Sequence, residues 1–288
     1  GGGGGGRKAN GAPEYIYSGN GERLINSDLP QIVDEWRSFQ KAGRISKGIE
    51  SIYIADLTVQ NEANENRIDF QFHHPSRFDA LNLLKQSECP VLSLFELCSE
   101  RTESMIPSSE SRESALRFTG LANMEAFSGV AAQIDTPSAS IKSAVKKYYP
   151  GDILFARMRP NLRKSCLITF AEEGYTSAEC VVLVPRKEKS GVPILDPELL
   201  SILLRSDLVY GQIMHKVAGI GRPRISIKDL RQVKVPVPTP SKQRALLQAY
   251  RTQLEGAASL REQAKSLLSE ADNITLNAID ALSSGISK

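Results

Sequence analysis

Apolar residues along this chain recur in several rhythms, and each rhythm predicts a different element. In "SDLPQIVDEWRSFQ", Ile32, Val33, Trp36 and Phe39 fall on one side of a 3.6-residue repeat, with Ser27 or Asp28 placed to cap. That pattern predicts a helix. "ESIYIADL" (Glu50–Leu57) predicts a short strand, and the polar "TVQNEANENRID" after it predicts a loose boundary. Arg77–Ser87 predicts a second helix, "PVLSLFELC" has mixed periodicity, and the polar tract Ser99–Ser114 predicts a loop. "ALRFTGLANMEAFSG" then reads as a strand, a turn and a short connection.

The apolar runs "DILFARM", "SCLITF" and "AECVVLVPR" predict three strands. The first follows a Pro150-Gly151-Asp152 turn, and the basic "RPNLRK" joins it to the second. "DPELLSILLRSDLVYGQIMHKV" predicts one helix capped by Asp196, opened by Pro197 and Glu198, and weakened or bent at Gly211. In "GIGRPRISIKDLRQVKVPVPTPSKQRALL" (219–247), a flexible basic turn precedes an alternating strand, a proline-spaced stop and a long helix.

That last helix runs about 60 Å at 1.5 Å per residue. Leu247, Tyr250, Leu254, Ala257, Ala264, Leu268, Ala271, Ala278 and Leu282 recur at alternating steps of three and four, with Arg261 and Thr275 interrupting. An apolar stripe of this length calls for a partner helix, in the same chain or another. The expected interface is Leu247, Tyr250, Leu254, Ala257, Leu268, Ala271 and Leu282.

Composition changes this picture little. The 288 residues suit one large domain or two modest ones, and 41% hydrophobic with 24% charged residues is ordinary globular usage. The six opening glycines are set aside. No apolar run reaches the eighteen residues needed to span a bilayer, and no signal segment opens the sequence, so a cytoplasmic location without a membrane partner is expected. Cys89, Cys98, Cys166 and Cys180 form no CxxC pair, and His73, His74 and His215 lack zinc spacing. Reduced, mostly buried cysteines and no metal or other cofactor are expected.

Charge changes it more. Net charge is only +3, yet Lys142–Lys164 holds seven bases against Asp152 alone, and Met214–Lys234 holds six against Asp229 alone. Basic clusters near strand ends suit phosphate contacts, and the arginine fork suits guanine edges. The expected DNA contacts are Lys146, Lys147, Arg157, Arg159, Arg163, Lys164, Lys216, Arg222, Arg224 and Lys228. Among these, the arginines suit bases, and Lys146, Lys147 and Lys164 suit phosphates.

Motifs for catalysis are missing. There is no Asn/Asp-Pro-Pro-aromatic motif for adenine methyl transfer, no GxGxxG and no phosphate loop. Asp152 and Glu179 would suit a nuclease, but Val181 stands where lysine is needed. Ser177 and the distant His215 make no triad, and His73-His74 reads as a loop pair.

The order "LRFTGLANMEAFSG", "PGDILFARMRPNLRK", "TSAECVVLVPR", "DPELLSILLRS", "GIGRPRISIKDLRQVKVPVPTPSKQ" and a long helix resembles a target recognition domain. Such domains occur in the specificity subunits of type I restriction–modification systems and behind fused adenine methyltransferases. The glycine-rich turn, the strand, "VPVP" and Gln243 are the most specific piece, and the resemblance covers roughly Pro90–Leu282. It implies an α+β fold: a twisted β-rich recognition domain on double-stranded DNA, followed by a long spacer helix.

The expected division is 1–68 as an N-terminal linker or helical segment, 69–240 as the recognition domain and 241–284 as the helix. The implied function is non-catalytic recognition of a DNA sequence that directs an adenine methyltransferase subunit or domain, and with it a nuclease. A full specificity subunit carries two such sets and this chain has room for one. It reads either as a half-subunit pairing as a homodimer through the long helix, or as the C-terminal part of a fused methyltransferase. "NSDLPQIVDEWRSF" and "NRIDFQFHHPSRFDAL" resemble segments that link methyltransferase domains to recognition domains. A helix-mediated protein scaffold is the rival reading.

Overall fold

A computed structural model describes residues 15–17, 19–21, 23–25, 29–42, 71–107, 115–219 and 221–284. The expected strand Glu50–Leu57 and the boundary after it lie outside the described residues. The chain forms two compact units interleaved along the sequence. The first takes Gly1–Gln86, Arg157–Asn161 and Ser206–Val233, and the second takes Ser87–Ala156, Leu162–Arg205 and Lys234–Lys288.

In the first unit, β1 (Tyr15–Tyr17) and β2 (Arg23–Ile25) pair antiparallel, and α1 spans Leu29–Ala42. The helix is where the periodicity put it, but its expected apolar face is not buried. Trp36 is 57% exposed, while Glu35 on another side is buried. Trp36 instead meets Phe39, ring centroids 5.9 Å apart. Helix α2 (Pro75–Lys85) is capped by His74, whose Nδ1 accepts the Ser76 N–H at 3.2 Å.

The second unit is built on two larger sheets and a two-stranded one. Its first elements are β3 (Val91–Ser93), a strand of the small sheet, and α3 (Leu94–Leu97). Strands β4 (Cys98–Glu100), β5 (Ser104–Met105), β6 (Ala115–Thr119), β7 (Ile134–Pro137), β8 (Val145–Tyr148), β9 (Ile153–Ala156), β10 (Ser165–Leu167), β11 (Gly174–Ser177) and β12 (Cys180–Pro185) make the two sheets. One has the order β10-β9-β12-β4, and the other β5-β8-β11-β6-β7. Among the described strands, only β11 and β6 run parallel. The polar tract after Ser99, expected as loop, thus contributes the end of β4 and all of β5.

The three apolar runs build the core because β-branched and aromatic side chains suit a strand covered on both faces. All four residues of β9 are buried. Leu154 and Ala156 point to one side and, with Tyr148, Cys166, Ile168, Cys180 and Val182, form one apolar cluster with Met124.

The stretch expected as a single helix after Asp196 is two. In the second unit α4 spans Pro197–Leu203, with the Asp196 carboxylate accepting the Glu198 N–H at 2.9 Å. In the first unit α5 spans Asp207–Ile213. Gly211 lies inside α5, which continues past it. It sits where α5 crosses α2, and a Cβ there would lie 2.3 Å from the Ser76 carbonyl oxygen. The glycine is a close-approach residue between two helices.

The strand expected after the glycine turn is also reapportioned. Ser226 caps a short helix, α6 (Ile227–Arg231), by accepting the Asp229 N–H at 3.0 Å. Only Lys234–Pro236 is strand, β13, paired antiparallel with β3. Pro238 and Pro240 then end the sheet and open α7 (Pro240–Ser284), the 45-residue helix the periodicity predicts.

Candidate nucleic-acid interface

In the first unit, two basic segments distant in sequence are stitched together by their backbones. Ala218 and Arg224 exchange hydrogen bonds, N–H to carbonyl, at 2.8 and 3.0 Å. The Ile225 N–H donates to the Arg157 carbonyl at 3.1 Å, and the Arg159 N–H donates to the Pro223 carbonyl at 2.8 Å. Residues 157–159 and 218 with 223–225 therefore form one small irregular ladder; Arg157, Arg159 and Arg224 sit on it, and Arg222 precedes Pro223 at its edge.

The turn needs its glycines. Gly219 has φ +108° and Gly221 has φ +78°, both in the region that favours glycine. A Cβ on Gly219 would lie 2.8 Å from the Arg222 carbonyl oxygen. Arg159 also stands at positive φ, +50°, without a glycine's freedom. Such a conformation costs about 1–2 kcal/mol, and backbone strain of this kind clusters at binding sites.

The side chains of this unit divide into two groups. Arg157 Nε donates to the Ile225 carbonyl at 3.0 Å, which clamps the ladder. Lys216 Nζ pairs with Asp229 at 3.5 Å, and Arg224 is half-buried. Arg159, Arg222 and Lys228 are exposed and form no side-chain hydrogen bond or ion pair with a described residue. Arg159 and Arg222 on the braced segments and Lys228 on α6 leave three positive charges for an outside anion.

The expected contacts in the second unit are differently occupied. Lys146 and Lys147 lie on β8, only 16% and 18% exposed. Lys146 pairs with Glu100 at 3.6 Å, and Lys147 with Glu173 at 2.9 Å. The Glu173 carboxylate holds the Lys147 ammonium well above its ordinary pKa. Both lysines are thus paired with carboxylates of their own unit. Lys164 Nζ donates to the Leu121 carbonyl at 2.7 Å, and Arg163 Nη1 donates to the Arg205 carbonyl at 3.2 Å.

Asp152 is likewise committed. It is buried, accepts from Arg101 Nε at 2.8 Å and Nη2 at 3.0 Å, and accepts the Tyr149 N–H at 2.9 Å. It is a structural ion-pair partner rather than a nuclease carboxylate. Among the described residues, no group of three or more His, Cys, Asp and Glu could hold a metal ion.

Along α7 the predicted stripe divides as well. Leu247 is buried against its own unit and Tyr250 is half-buried, whereas every described residue from 251 to 279 is exposed. Leu254 and Leu268 are 50% and 69% exposed, and Ala257 and Ala271 are exposed with them. The side chain of Leu282 lies outside the described residues. Sequence reasoning missed the flank of this stripe: Leu260, Leu267 and Ile274, seven residues apart, are all more than half exposed. Their spacing of seven was the available signal.

No family model matches the sequence, and no curated protein matches it. Solved structures do. One is the HsdS subunit from Thermoanaerobacter tengcongensis, with TM-score 0.51, 20% identity and 62% of this chain covered. The chain has the HsdS fold. A second similar chain comes from work on complex assembly and conformational transition of the type I R-M system, with TM-score 0.51, 20% identity and 61% of this chain covered. In both cases the match spans 45% of the other chain. The likeness therefore covers about three fifths of a chain of mixed sheets and helices. Among the described residues, no helix is long and apolar enough to cross a membrane.

Proposed function

We propose that this chain recognises a DNA sequence for a type I restriction–modification system and has no catalytic site of its own. The observation that carries the proposal is the stitched ladder of 157–159 with 218 and 223–225, which holds Arg159 exposed at positive φ and Arg222 exposed beside Gly221. The likeness to HsdS supports the same reading. Recognition of this kind would direct an adenine methyltransferase to the site, and with it a nuclease. In this reading the bases are read by Arg159 and Arg222, Lys228 neutralises a phosphate, and Arg157, Arg224 and Lys216 brace them.

The exposed stripe on α7 supports a partner helix. A second copy of this chain fits it, because the chain matches 45% of the length of the HsdS subunit and a pair would supply the second half. A fused or separate methyltransferase is the alternative holder of that helix.

The test is duplex binding by fluorescence anisotropy at several salt concentrations. Affinity for a bound duplex falls steeply with salt, and Arg159→Ala with Arg222→Ala weakens it by more than about tenfold at fixed salt. Affinity that ignores both salt and the two substitutions contradicts the proposal.

A further inference from the structure

We infer that Phe127 is a base-reading side chain, its ring packing on the 5-methyl group of a thymine in the major groove of duplex DNA. The inference rests on the DNA-recognition reading above and adds a residue that the charge pattern does not reveal.

Phe127 sits at the tip of a short loop in the second unit. Met124 and Ala131 bridge its base, and the Glu125 N–H donates to the Val130 carbonyl at 2.9 Å. Phe127 has φ +64° and is 58% exposed. A bulky aromatic in the left-handed region is an outlier, and here it holds an apolar ring out into water. Neither the strain nor the exposure helps folding.

The loop is braced from beneath. The Phe127 N–H donates to the Leu162 carbonyl at 3.3 Å. The guanidinium of Arg163 lies 5.7 Å from the Phe127 ring centroid, and Arg163 is itself at φ +47°. Arg205 Nη1 donates to the Ser201 carbonyl at 2.9 Å and to the Ser165 carbonyl at 3.3 Å. That guanidinium closes under Gly129, where a Cβ would lie 2.5 Å from it. Ser128 donates to the Glu125 carboxylate at 2.9 Å and accepts the Val130 N–H at 3.0 Å. A loop backbone held this way presents the ring from a fixed position, which is preorganisation for a contact.

The surroundings select the partner class. Arg163 and Lys164 stand on the connection that supports the loop; each donates to a backbone carbonyl, a neutral partner, so these bonds leave positive charge beside the ring, which suits a polyanion. The apolar feature that a duplex offers in its major groove is the thymine methyl, and phenylalanine is one of the side chains that meets it.

The experiment uses the full chain. Wild type, Phe127→Ala and Phe127→Leu are each put through selection on a randomised duplex library. Each thymine of the enriched motif is then replaced by deoxyuridine, which removes only the methyl group. Wild type loses about fourfold in affinity at one thymine, the worth of one buried methyl. Phe127→Ala loses enrichment at that position and no longer responds to deoxyuridine there, and Phe127→Leu, which keeps an apolar side chain, still responds. Identical motifs and identical deoxyuridine responses in wild type and Phe127→Ala overturn the inference and leave the loop as a protein contact. No motif for wild type overturns the DNA reading itself, and this inference with it.

Discussion

Gln243, in the first turn of the long helix, accepts the backbone N–H of Asp196 on its Oε1 at 2.8 Å. Its amide nitrogen donates to the Pro238 carbonyl at 2.8 Å and the Ile194 carbonyl at 3.4 Å. One buried side chain thus fixes α7 to the start of α4, whose own cap is Asp196. Arg251, two turns on, adds an ion pair with Glu198. Gln243→Ala leaves one donor and two carbonyls short of partners inside the unit. The expected loss is about 2 kcal/mol, read from denaturant unfolding.

Gly211 and Gly256 make opposite predictions. Gly211→Ala drives a methyl group into the Ser76 carbonyl and into Ala80, and costs about 2 kcal/mol. Gly256, inside α7, has nothing within 4 Å of a Cβ, so Gly256→Ala raises stability by about 0.5–1 kcal/mol. Thermal melts of the two variants should move in opposite directions.

Burial pushes the thiols of Cys98 and Cys166 up to about 12 and that of Cys180 to about 11, from an ordinary 9.0. These groups stay protonated in the folded chain while the unfolded chain ionises them above pH 9. Stability from this source is complete below pH 9 and is lost progressively as pH rises from 9 through about 12. In native protein a thiol reagent should titrate Cys89 alone, since it is the one partly exposed cysteine, and should find all four after denaturation.

Leu254→Lys with Leu268→Lys places two charges on the exposed stripe of α7 without touching a packed residue. If a second copy of the chain covers that stripe, sedimentation shows a dimer for wild type and half that mass for the double variant. Equal masses at every concentration contradict the homodimer.

Much of this molecule was legible in its sequence, for physical reasons that vary by element. Helix α7 and the strands β9 and β12 follow from long or unbroken apolar patterns that one period explains. Gly211 was not legible, because a close approach between two helices leaves no local signal. The break after Leu203 was hidden by helix-forming residues on both sides of Ser206. At the candidate site, the clustering of charge was legible, and the partners of the individual side chains were not. Lys146 and Lys147 look like phosphate contacts until Glu100 and Glu173 are seen beside them, and those partners are distant in sequence. Phe127 carried no signal at all, because its positive φ comes from the loop around it.

The most direct test of the central claim is selection of the wild-type chain on a randomised duplex library at two salt concentrations. Sequence-specific recognition predicts that a short motif is enriched at both, in two copies at fixed spacing if the long helix joins two copies of the chain. Binding that weakens with salt yet enriches no motif contradicts sequence recognition by this chain alone, and no binding at either salt would leave α7 as the tether of a protein scaffold.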